Sequence, residues 1–300
     1  MKALGLLVVA GCVQQDIPVL PAPSISLAFV PIAPVVMTDR MIVRGQNGEV
    51  AELGPTGQQV PPLLVSGSYE HVGANAGMVG WVRDTQEQRI LGKRLPDGSL
   101  VELPQPMNLF PIGVVAAPDE VFVDFGSGNI EAITTTGFKP LAFPIPFNFT
   151  LTDASATHLY GFESNQVGAR ITRYSRQQGT LETLVDFPRT GDDIVLRFTV
   201  RGDRLVYGLS DGTVHERELK PGVDRVLGDM PLNCTFLCEL AASETEAFYG
   251  QYRYVDGDVA WFLASENDLD LARPLGVVDG QVLWSIGTRI YTRGASEPEP

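Results

Sequence analysis

Three aspartates, Asp39, Asp119 and Asp203, are the carboxylates of this sequence whose spacing could carry acid–base chemistry. Each stands four residues before the centre of a short apolar run, at Val43, Val123 and Tyr207. Two carboxylates facing each other across a sugar would suit glycoside hydrolysis, one as acid and the other as nucleophile or base. The shared offset supports a different reading. Aspartate favours turns because its short side chain bonds nearby backbone, and a turn repeated once per unit would set an aspartate before each strand. The histidines His71, His158 and His215 are scattered and lack the spacing of a zinc site, so no metal is expected. The acidic run Glu266–Asp270 lacks the Gly and the distal Glu of a calcium loop and reads as a solvated turn. No Gly-x-Ser-x-Gly elbow, Gly-rich phosphate loop or His-Glu-x-x-His occurs. A Ser-His-Asp triad needs no proximity in sequence, yet nothing selects one serine. No cofactor is implied.

The elements around these residues are more informative. The stretch from Asp203 to Leu219 reads as strand, turn at Asp211-Gly212, and strand. Asp-Gly suits a two-residue type I′ hairpin, whose central residues both need positive φ. Leu205, Tyr207 and Leu209 alternate with Val206, Gly208 and Ser210, a mostly apolar strand that can be buried on both faces. Asn47-Gly48 and Ser127-Gly128 follow Val43 and Val123 as Asp211-Gly212 follows Tyr207. Looser copies place Gly80, Tyr160, Tyr249 and Trp284 at the same position. The seven positions recur at about 40 residues, the size of a four-stranded propeller blade. Period-two alternation excludes a helical array of similar repeat length.

The fold expected is therefore all-β, a seven-bladed β-propeller, with a pair of β-sandwiches or an irregular β fold as the alternative. The last repeat, Gln281 to Arg293, runs out after two strands, and Ser24 to Val30 is a spare strand before the first. Pairing the two closes the ring and removes a free edge. Tyr160, Tyr207, Tyr249 and Trp284 then either fill the gaps between blades or, on an open face, form a stacking surface for sugar or peptide. Pro55–Pro62 and Pro104–Pro111 read as connections. Phe138–Phe149, with three prolines among four phenylalanines, reads as a connection or as an exposed apolar patch for a partner.

Charged residues are 19% of the chain, against a disordered protein, and the formal charge of −14 disfavours nucleic acid and anionic lipid as partners. Met1-Lys2 precedes an apolar run, Ala3 to Gly11, too short to span a bilayer but suited to a signal-peptide core. Val9-Ala10-Gly11-Cys12 resembles the lipobox of bacterial lipoproteins, in which a small residue precedes a cysteine that is acylated and becomes the mature N-terminus. That resemblance implies a removed signal segment 1–11 and a lipidated Cys12; a Pro-rich tether over 12–23, a repeat domain over 24–294 and a disordered tail over 295–300 complete the expected organisation. It implies export and anchoring at the cell envelope, at the outer membrane in a Gram-negative cell, because Val13 rather than Asp follows. In that setting Cys234 and Cys238 form an even pair, expected as a disulfide, with two buried thiols as the alternative.

The repeat resembles irregular bacterial β-propellers, which commonly serve as interaction platforms. WD40 and kelch signatures are absent. The function implied is a binding or scaffold module whose partner is an envelope protein or polymer, and not nucleic acid. The alternative is a propeller hydrolase or lyase acting on an envelope or extracellular polymer. It requires Asp, Glu, His or Tyr converging at the channel mouth.

Overall fold

The computed structural model describes residues 22–75, 77–85, 87–164, 168–188, 195–220, 222–229, 240–250, 252–255, 258–261 and 272–294. Cys12, Cys234, Cys238, the acidic run 266–270 and the tail 295–300 lie outside them. The described residues form seven small antiparallel sheets and no helix. Blades 1 to 7 occupy residues 32–53, 68–104, 113–140, 149–188, 195–229, 240–261 and 273–294. The last takes Ile25–Ser26 as its outer strand, with Ile25 opposite Ile290 and Ser26 opposite Arg289. The ring is thus a seven-bladed β-propeller closed by its own N-terminal strand.

Burial explains why the repeat was readable. All seven aligned positions fall on the second strand of a blade. Arg204–Leu209, Val121–Asp124 and Ala247–Tyr249 are buried at every residue, because each blade is covered on both sides by its neighbours. Successive side chains serve opposite neighbours: Val121 and Val123 meet Val82 and Leu91 of blade 2, while Phe122 meets Phe149 and Tyr174 of blade 4. The clusters of buried side chains follow the same plan, one at each of the seven blade interfaces.

The alignment is out of register in two blades. Val43, Val123, Tyr207, Tyr249 and Trp284 face the preceding blade. Tyr160 faces the following blade instead, as does Gly80, where a Cβ would lie 2.2 Å from Val121 Cγ1. A slip of one residue reverses the face of a strand. The turn type also differs from expectation. Gly212 has φ +92, but Asp211 is not left-handed, and Gly212 donates to Leu209 at 3.2 Å. This is a three-residue hairpin ending in a left-handed glycine. The Asn47-Gly48 hairpin matches it, whereas Ser127 and Gly128 both have positive φ, at 58° and 73°.

Blade 1 has three strands. Its fourth is reduced to one bridge, Leu53 to Gln59, and an amide bond from Val60 to Glu52. Prolines at 55, 61 and 62 lack the N–H that a full ladder needs. Antiparallel order puts the blade-to-blade connections and the middle hairpin turns on one face of the disc, the connector face. The first and third turns of each blade lie on the opposite face.

Candidate functional site

Asp39, Asp119 and Asp203 lie in first turns on the opposite face, in blades 1, 3 and 5, and are not brought together. Each makes an ion pair in its turn. Arg176, from the third turn of blade 4, grips Asp119 at 2.8 and 3.0 Å and reaches Glu120 at 2.8 Å. The same guanidinium lies 4.9 Å above the Phe122 ring. Its hydrogen bonds hold the Asp119 carboxyl below the usual range against the opposing effect of burial. Asp39 pairs with Arg40 at 3.1 Å, and Asp203 lies 3.7 Å from Lys220.

The residue after two of the three aspartates carries a signal that the sequence reading missed. Arg40 and Arg204 follow Asp39 and Asp203, and each pairs with the glutamate twelve positions later, Glu52 or Glu216. Arg204 donates as well to the Ser243 and Glu246 carbonyls of blade 6, at 3.1 and 2.8 Å. Glu52 accepts from the amides of Leu63 and Leu64 at 2.6 and 2.9 Å, fixing the route into blade 2. A repeated Asp-Arg with Glu twelve residues on would have revealed both ties.

The histidines stand in blades 2, 4 and 5. Burial lowers the pKa of His71, helped by Arg44 and Arg89, and burial likewise lowers that of His158. His215 stacks on Tyr207 with centroids 5.0 Å apart. The Tyr207 hydroxyl donates to Asp224 at 2.7 Å, and His215 lies 3.5 Å from the same carboxylate. Burial and the Asp224 bond push the phenol well above its ordinary range. Burial raises Asp224, but its bonds from His215 and Tyr207 outweigh that and leave it lowered. The network ties three strands of blade 5 together. Among the described residues no group of three or more His, Cys, Asp and Glu could hold a metal.

Tyr160, Tyr207, Tyr249 and Trp284 are buried, none more than 4% exposed. They fill the gaps between blades and offer no stacking surface, because the second strand of every blade is covered on both sides. The innermost strands of blades 1, 3 and 6, Ile32–Val36, Gly113–Ala116 and Leu240–Ala242, carry no titratable side chain. Among the described residues the innermost strands carry the carboxylates Glu70 and Asp153, in blades 2 and 4, paired with Arg89 and Arg201. They do not converge.

Blade 3 shows a different surface on its connector face. Two connections enter there, 105–112 from blade 2 and 141–148 into blade 4. The first makes a tight turn, with Leu109 donating to the Pro106 carbonyl at 3.3 Å and Asn108 at φ 65. Met107 sits at its tip and is 90% exposed, followed by Phe110 at 66% and Ile112 at 50%. From the second connection Phe147 stands 78% exposed. Between them lies the turn Gly126-Ser127-Gly128, all three with positive φ. A Cβ on Gly126 would lie 3.6 Å from Ile112 Cδ1, and one on Gly128 would lie 2.6 Å from the Ile145 and Pro146 carbonyls. The turn is thus wedged between the two connections, with almost no side chain of its own.

Asp124 holds this arrangement from below. Its carboxylate is fully buried and accepts from the Gly126 amide at 2.7 Å and the Leu151 amide at 2.9 Å. Burial raises its pKa, and the two amide bonds resist. The backbone adds a bond from Ile112 to the Asp124 carbonyl at 2.7 Å. The surrounding segments 104–118, 125–130 and 140–152 contain no charged residue. The Phe138–Phe149 stretch divides four ways, with Phe149 buried on the inner strand of blade 4. Phe138–Pro140 is the outer strand of blade 3, Phe143 reaches Gly179 of blade 4, and Phe147 joins the connector face.

No family model and no curated protein matches this sequence. Solved structures do match the fold. The structure described as YCF48 bound to D1 peptide superposes with a TM-score of 0.60 at 15% identity, covering 95% of this chain and 100% of that one. A computationally designed protein, Ika8, gives 0.52 at 13% identity, with coverage of 88% and 83%. These likenesses support the propeller architecture and leave function to the residues.

Proposed function

We propose that this protein is a binding or scaffold module of the cell envelope, anchored through an acylated Cys12 and docking a protein partner on the connector face of blade 3. The observation that carries the docking half is the exposure of Met107, Phe110, Ile112 and Phe147 on adjacent, charge-free segments. Scattered apolar residues on a surface are ordinary, but a contiguous group marks an interaction site. That a chain of this fold holds a D1 peptide is a precedent for a peptide ligand. The anchoring half rests on the sequence from Val9 to Cys12.

One experiment in cells tests both halves. A photo-crosslinking residue replaces Phe110, or Asp211 on the blade 5 hairpin as control, in chains with and without Cys12→Ser. A discrete protein adduct is expected from position 110 and none from 211. The wild-type chain is expected in the membrane fraction and the Cys12→Ser chain in the soluble one. Absence of an adduct from 110 ends the docking reading, and a wild type already soluble ends the anchoring reading.

A further inference from the structure

We infer that the connector face of blade 3 is a shallow groove, floored by Gly126-Ser127-Gly128, that takes an apolar protein segment flanked by basic residues. This rests on the docking reading above and specifies its partner. The floor follows from the turn: three consecutive left-handed residues, two of them glycine, keep side-chain bulk low. Met107, Phe110 and Ile112 form one wall and Pro146 with Phe147 the other. Their exposed surface is roughly 550 Å², taking ~200 Å² per large side chain, near the upper end for a monomer.

The occupant follows from charge. The groove itself has none, so a charged group placed in it would lose water without gaining a partner. Its surroundings are acidic. Glu70, Asp84 and the exposed Glu87 stand against Arg89, which is shared between the first two, and Arg44, whose charge reaches His71 beside Pro111, so this rim sums to one negative charge. The chain as a whole carries −14. An apolar core therefore enters the groove while lysine or arginine flanks meet the acidic rim, which speeds encounter and selects the partner. A second copy of this chain is disfavoured, because it brings another −14 into contact.

The probe is a short labelled peptide with a Leu, Phe and Ile core and two lysines at each end, read by fluorescence anisotropy against the full-length chain. Matched peptides carry glutamate ends, or a core of serine. The lysine-ended apolar peptide is expected to bind at least ~10-fold more tightly than the glutamate-ended one, a difference of about 1.4 kcal/mol. Phe110→Ser and Phe147→Ser are each expected to weaken it by about 10-fold or more, and added salt weakens it further. Ser127→Lys, which puts a positive charge on the floor, is expected to weaken the lysine-ended peptide and spare the core preference.

Equal binding of lysine-ended and glutamate-ended peptides overturns the proposal. So does binding of the serine-core peptide, a concentration-dependent dimer abolished by Phe147→Ser, or co-sedimentation with phosphatidylcholine vesicles through the same phenylalanines. If no peptide binds while position 110 still gives an adduct in cells, the groove proposal falls and the docking reading stands.

Discussion

On the opposite face of blade 3, Asp119 and Glu120 are clasped by Arg176 from blade 4. On its connector face three segments carry no charge, and the turn between them hangs from a single interior carboxylate, Asp124. The two ends of one blade thus solve the same problem, fixing a turn against a neighbour, by different means. The opposite face uses ion pairs near the surface, which occupy that surface. The connector face hides its polar anchor inside and leaves apolar side chains outside. The first arrangement ties one blade to the next. The second spends exposed apolar area that the ring does not use.

The largest effect is expected where the charged ties are most buried. Arg204 and Glu216 have side chains 8% and 5% exposed. Arg204→Ala would leave Glu216 with the half-exposed Arg225, at 3.2 Å, and would free the Ser243 and Glu246 carbonyls. Breaking a buried pair from one side typically costs about 3–5 kcal/mol. Urea denaturation would measure it. A loss under about 1 kcal/mol would mean that the charged ties are ornamental and the comparison between the faces is misdrawn.

Asp124→Asn addresses the other end of the blade. Asparagine has one acceptor oxygen, and its amide nitrogen would face either the Gly126 or the Leu151 N–H. One buried donor is then unmet, at a cost of about 1–3 kcal/mol. The pH dependence has a definite sign. Burial raises the folded pKa above 3.8, so the folded state holds the proton more firmly than the unfolded chain. The residue's contribution to stability therefore falls as pH rises through that window. The gap between wild type and variant is expected to narrow from acid toward neutral pH. A gap that widens would show that charged Asp124 is favoured where it lies.

The difference between the faces also sets what the sequence could reveal. Second strands were legible because burial on both sides makes them mostly apolar, as from Leu205 to Leu209. Register was not secure where local irregularity intervenes. Blade 4 has a bulge between Leu151 and Asp153, opposite Tyr160, and blade 2 carries glycine at the aligned position. The Arg–Glu ties were written in the repeat but join adjacent strands through their side chains, a relation that alternation does not display. The connector-face surface was half visible. Phe147 lies in a conspicuous stretch, but its companions Met107 and Phe110 are nearly 40 positions earlier, about one blade away. They meet only because consecutive blades stand side by side in a ring.

The smallest expected effect is the sharpest for the comparison. Phe147 is 78% exposed, and Phe149, the same residue type two positions on, is 1% exposed within the cluster between blades 3 and 4. A large apolar side chain that was part of the fold would be removed from water at both positions. Phe147→Ser is therefore expected to leave unfolding free energy within about 0.5 kcal/mol of wild type, as for surface changes that touch no structural feature, with an unchanged denaturant slope. A loss above about 2 kcal/mol would mean that the ring at 147 stabilises the fold and that the connector face is structural after all. Unchanged stability together with lost peptide binding would separate the two roles at a single residue, because the aromatic ring would then contribute to recognition alone.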